Sequence, residues 1–150
     1  MELSNSYVYF ALKGADFDPK IISDRIGIEP SDSWENGNKG KYNPNLNYSC
    51  WKLSTEKGKE YINIDKLVDE IVTKLSDKIE ITNELKKELN LDSVLEIVLD
   101  IDTNPDKPTP AIGHDLKTID FLYRTQTITD VDIYRFNSSD EKIKTPHNKR

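Results

Sequence analysis

Three Asp-x-Asp pairs, Asp16/Asp18, Asp100/Asp102 and Asp130/Asp132, have the spacing best suited to chemistry in this 150-residue chain. Alternation along a strand puts both carboxylates of such a pair on one side, where they can share a hard cation. The pattern is also common by chance, and solvated carboxylates at strand ends show it equally. Asp102-Thr103-Asn104-Pro105-Asp106 opens like a calcium loop, but Lys107 stands where that loop needs glycine and Gly113 where it needs a bidentate glutamate. The segment therefore reads as a Pro-rich turn. A metal-dependent hydrolase would have to recruit Asp100 and Asp102 together with His114. His114 and His147 are the only histidines, and Asp115, next to His114 in sequence, is not thereby a triad partner. Cys50 beside Trp51 reads as a small buried hydrophobe, not a reactive thiol. Gly37-Asn38-Lys39-Gly40-Lys41 lacks the spacing of a phosphate-binding loop. No catalytic residue, metal ligand or cofactor is assigned, and the chain reads as a binding protein more than an enzyme.

Two surfaces are candidates for that binding. Trp34 and Trp51 bracket a stretch rich in Asn and Gly that also carries Tyr42 and Tyr48. Asn, Gly and Pro accept tight turns, so this stretch is expected to be a loop anchored by aromatics at each end. The second surface is the outward face of the predicted sheet, where Tyr7, Tyr9, Glu96, Asp100, Asp132 and Tyr134 fall opposite the core. RNA-binding modules place aromatics on such a face beside basic residues, but here the neighbours are carboxylates, which repel phosphate. Tyrosine with acid suits contact with a protein, and a basic one in particular. The alternative is a small-ligand module, with the loop folded over an aromatic pocket between Trp34 and Trp51.

The elements that position these residues follow from periodicity. Val8, Phe10 and Leu12 alternate as a half-buried strand. Asp18-Pro19 starts a helix that Gly27 closes after Ile26. Ser49 to Ser54 reads as a strand with Trp51 and Leu53 inward. Ile64, Leu67, Val68, Ile71, Leu75 and Ile79 give the clearest helix, capped by Asn63, with a second piece from Asn83 to Leu89. Leu95, Ile97, Leu99 and Ile101 alternate in a strong strand. Leu116, Ile119, Phe121 and Leu122 predict another helix, and Val131-Asp132-Ile133-Tyr134 a final strand. Val131 and Ile133 are expected in the core with the other inward residues. The plan is α+β: a ferredoxin-like sandwich of two strand–helix–strand halves, its sheet largely antiparallel, with helices on one face. Residues 1–136 form one domain, and 137–150, which turn polar and end in Lys149-Arg150, a loose tail.

Composition narrows the class. A net charge of -6 disfavours non-specific nucleic-acid binding and suits a basic partner. One cysteine allows no internal disulfide, and neither a signal peptide nor an apolar run of ~20 residues is evident, so a cytoplasmic setting without membrane contact is expected.

Several segments in order resemble the bacterial family known as domain of unknown function 4279. They are Tyr7-Val8-Tyr9-Phe10, Asp16-Phe17-Asp18-Pro19, Ile26-Gly27-Ile28-Glu29-Pro30, Trp34 to Gly37, Ser49-Cys50-Trp51-Lys52-Leu53 and Asp130-Val131-Asp132-Ile133-Tyr134. The resemblance implies a small cytoplasmic bacterial domain and carries no catalytic residues. Together with the acidic charge it suggests an immunity-like protein that blocks a basic toxin.

Overall fold

The computed structural model describes residues 4–37, 47–57 and 63–139. Tyr42 and the greater part of the expected tail lie outside these residues. The described elements are β1 (Tyr7–Gly14), α1 (Pro19–Ile26), β2 (Asp32–Trp34), β3 (Ser49–Ser54), α2 (Ile64–Leu75), α3 (Ile79–Leu89), β4 (Asp92–Asp102), α4 (Leu116–Thr125) and β5 (Ile128–Phe136).

Local chemistry sets the helix ends. The Asp18 carboxylate accepts from Lys20 N at 2.9 Å, Pro19 occupies the first turn, and Gly27 closes α1 at φ 78°, a left-handed conformation that costs glycine little. Asn63 caps α2 by accepting from Lys66 N, and Asp115 caps α4 by accepting from Thr118 N at 2.8 Å. The long helix expected to reach Ile79 ends earlier, at Leu75. Ser76 and Asp77, whose side chains compete with the helical backbone, form a turn, and α3 starts afresh at Ile79.

The five strands make one open sheet in the order β2-β3-β1-β4-β5. β1 pairs antiparallel with both β3 and β4, and β2 pairs antiparallel with β3. β5 runs parallel to β4, so the sheet is mixed and not antiparallel throughout. Val8, Phe10 and Leu12 of β1, Trp51 and Leu53 of β3, and Leu95, Ile97 and Leu99 of β4 share one face. They are buried against Ile22 and Ile26 of α1, the apolar stripe of α2, Leu85 of α3 and Phe121 of α4. Phe121 meets Phe10 edge-on, ring centroids 6.0 Å apart. At roughly 25 cal/mol per Å2, burial of these apolar side chains is the main term holding the two layers together.

Val131 and Ile133 depart from the expected core, being 36% and 57% exposed. They do point to the helical side, opposite Ile97 and Leu99. However, β5 is an outer strand, and α4 turns Thr118, Phe121 and Thr125 inward, with Phe121 on Phe10 of β1, and leaves β5 largely exposed. Of the four residues that predicted α4, Phe121 is buried, while Leu116 and Ile119 are exposed. Ile101 is only partly buried, because it lies beyond Val98, the last β4 residue that pairs with β1.

A polar knot ties α4 and β5 to the rest. Lys86 Nζ donates to Ser93 Oγ (2.7 Å), Thr125 O (2.6 Å) and Gln126 O (3.1 Å). Thr127 Oγ1 lies 2.7 Å from both Ser93 Oγ and Thr125 Oγ1. Burial lowers the Lys86 pKa from its ordinary value. Lys86→Met keeps the aliphatic stem but orphans the last carbonyls of α4, so it should cost about 1–3 kcal/mol in denaturant unfolding. Unchanged stability would mean that water replaces the ammonium at no cost.

Candidate functional site

The face of the sheet away from the helices carries the candidate site. Register places Tyr7 of β1 beside Val98 of β4, Tyr9 beside Glu96 and Lys13 beside Asp92, and on the other side Glu96 beside Asp130 of β5, Val98 beside Asp132 and Asp100 beside Tyr134. Tyr7 and Tyr9, two residues apart on one strand, stack with ring centroids 6.2 Å apart. Lys52 Nζ sits 3.8 Å from the Tyr9 ring centroid and Lys57 Nζ 4.6 Å from that of Tyr7, both cation–π contacts. The phenols of Tyr7 and Tyr9 are held above their usual pKa, by burial first. For Tyr9 the next cause is the Glu96 charge, whereas for Tyr7 it is Tyr134, followed by Asp132 and Glu96.

Glu96 is the centre of this face. It is 5% exposed, and register sets it directly opposite Asp130, with Asp132 one pleat further on. One ligand oxygen from each of Glu96, Asp130 and Asp132 lies within 4.8 Å of the others. Burial, a hydrogen bond shared with Asp132 and the charges of Asp132 and Asp130 push the Glu96 carboxyl up to about 8. At neutral pH it therefore holds a proton that a visiting cation would displace. A cleft of about 560 Å3 opens over the cluster, lined by Tyr9, Lys13, Glu96, Ile128, Asp130 and Asp132 among others. Such a pocket suits a cationic group, either the ammonium or guanidinium of a partner or a metal ion.

The two tryptophans behave differently. Trp51 is wholly buried, and its Nε1 donates to Ser23 Oγ at 3.0 Å, which fixes α1 on the sheet. A side chain without exposed surface cannot touch a partner, so Trp51 is a core residue and not a binding one. Trp34 pairs with Cys50, on the face opposite to Trp51, so these two side chains do not share a pocket. It meets Tyr48 edge-on at 5.6 Å and stays half-buried, making those two the described aromatics of the loop region.

The other sequence candidates separate in space. His114 shares a 2.9 Å hydrogen bond with Thr129, which pairs with Leu95 on the helical side. Asp100 lies on the opposite face, and Asp102 is seven residues along β4, roughly 23 Å at ~3.3 Å per residue. Asp102 instead accepts from Asn104 N and Ser138 N, closing the turn after β4. These three residues make no common centre. Burial pushes the Cys50 thiol up to about 11, away from the thiolate a nucleophile needs. Among the described residues, Asp130/Asp132 is the one of the three Asp-x-Asp pairs that the fold completes with a third carboxylate. Glu96 was visible as an outward residue, but its pairing with β5 depends on a long-range register.

A family model described as a domain of unknown function (DUF4279) matches residues 4–136. The chain belongs to the DUF4279 family. Neither the curated proteins nor the solved structures contain a match to it. The DUF4279 match takes in every strand of the sheet, and so both β4 and β5 with the carboxylate cluster between them.

Proposed function

We propose that this DUF4279 domain is a non-enzymatic binding protein whose open sheet face receives a basic group of a protein partner. The observation that carries it is the convergence of Glu96, Asp130 and Asp132 beside the stacked Tyr7 and Tyr9. Asp130 and Asp132 with a protonated Glu96 between them and one lysine, Lys13, at the cleft favour an incoming cation, and the tyrosines give rigid amphipathic area around it. A lysine or arginine entering there would displace the Glu96 proton, so affinity should rise with pH up to about 8. The partner expected is an acid-seeking basic protein, as an immunity-like role in a bacterial cytoplasm would supply. Trp34, Tyr48 and Tyr134 extend the same surface. The first four strands, in the order β2-β3-β1-β4 with α1 and the α2–α3 pair as crossovers, support a ferredoxin-like reading in which α4 and β5 are additions.

Affinity capture from the native host should retain a basic partner on wild-type protein. The Asp130→Asn/Asp132→Asn variant should lose it by tenfold or more, with added salt acting in the same direction. Equal recovery of the same partners by both proteins would rule this face out. A second reading rests on the same oxygens lying within 4.8 Å of one another, which also suits a divalent cation. Calorimetric titration with Ca2+ and Mn2+ separates the two: tight binding that the double variant abolishes would make this a metal site.

A further inference from the structure

β5 ends the sheet, and among the described residues no strand pairs with its outer edge. Such an edge offers a row of free N–H and C=O groups, which proteins ordinarily blunt with proline, bulges, charged side chains or short length. β5 is nine residues long, has no proline, and keeps an unbroken register with β4 from Ile128 to Phe136. Its charges are Asp130, Asp132 and Arg135, and the two carboxylates repel an acidic strand but attract a cationic one. Every residue from Asp130 to Arg135 is exposed.

The two sides of this edge differ in chemistry. The open side presents Asp130 and Asp132 with Glu96 behind them. The helical side presents Thr129, Val131 and Ile133, next to a shallow groove of about 380 Å3 lined by Ile119, Leu122, Tyr123 and Ile128 with Gln126 and Thr127. We infer that the edge of β5 receives an extended segment of a protein partner, added as a sixth strand, in which cationic and apolar residues alternate. Side chains of a strand point alternately to its two faces, so one set would meet the carboxylates and the other the apolar side. Charge argues against the centred pairings of a second copy: a two-fold antiparallel pairing centred on Asp132 sets that carboxylate against itself, and one centred on Val131 sets Asp130 against Asp132. One centred on Ile133 avoids the clash but leaves Asp130 and Asp132 of both copies without a counter-charge. The inference rests on the acidic docking face proposed above and adds the way in which the partner is held.

The test uses the full chain and a labelled nonapeptide of alternating lysine and valine, with an alternating glutamate–valine peptide as control. Fluorescence anisotropy should show the lysine peptide binding at least ~10-fold more tightly. Amide hydrogen exchange should slow at alternate positions of β5, whose outward N–H groups would enter a ladder. Binding of the lysine peptide with β5 exchange unchanged would remove strand addition and leave the acidic face as a docking surface. Equal affinity for both peptides, or none, would overturn the charge-selected strand. Protection of β5 without peptide, growing with protein concentration alongside a dimer in sedimentation, would give the edge to a second copy instead.

Discussion

Trp51→Ala should destabilise the domain by about 3–5 kcal/mol, a large share of the roughly 5–15 kcal/mol that holds a typical domain folded. Trp51 has no exposed surface, sits among Leu12, Leu53 and Ile22 in the core cluster, and spends its one polar group on Ser23. Removing the indole leaves a cavity that the sheet above and α1 below cannot close, and strips the buried Ser23 hydroxyl of its donor. Trp51→Phe keeps much of the volume and loses mainly the hydrogen bond, at a cost of about 1–3 kcal/mol. Chemical denaturation of the three proteins gives the order wild type, Phe, Ala. A binding role for Trp51 requires the opposite, near-native stability with lost affinity, and that result would place the side chain on the surface.

Both tryptophans stand out in the sequence, yet composition alone does not tell an aromatic that anchors a core from one that anchors a partner. Alternation does. With Leu53 read as inward, Trp51 two residues before it had to be inward too, and the structure agrees. Trp34 belongs to a three-residue strand, too short for periodicity to show, so its face follows only from pairing with β3. The same contrast runs through the whole fold. The caps Asp18, Asn63 and Asp115 and the alternation of β1 and β4 are local signals, legible one residue at a time. The parallel placement of β5 is not local, because Val131-Asp132-Ile133 looks the same on a central strand as on an outer one. That is why Val131 and Ile133 read as core and are found exposed. The carboxylate cluster depends on the same long-range step. Asp130 and Asp132 are visible as a pair, Glu96 as an isolated outward residue, and only the β4–β5 register makes them one site.

The second large effect concerns that site and pH. Folded Glu96 titrates near 8, well above the usual carboxylate range it would return to on unfolding. Between about 4.5 and about 8 the folded state therefore holds a proton that the unfolded chain has released, and stability falls as pH rises through this window. Below about 4.5 both states are protonated and the full stabilisation is present; above about 8 both are ionised and the loss is complete. Solvent around the exposed Asp130 and Asp132 screens part of the repulsion, so the loss expected is on the order of 1–3 kcal/mol, short of what an unscreened shift would give. Glu96→Gln cannot ionise and keeps an amide that can donate to Asp132. It should lose this component of the slope and be more stable than wild type at pH 8, and about equal to it near pH 4.5. The measurement is denaturant unfolding of both proteins at half-unit steps from pH 4.5 to 9. If both proteins lose stability in parallel, Glu96 is ionised throughout and the cluster exerts no pull on a proton. If only wild type does, the cluster stores a charge deficit that a cationic partner can fill, and binding of that partner should be accompanied by proton release below pH 8 and by none well above it.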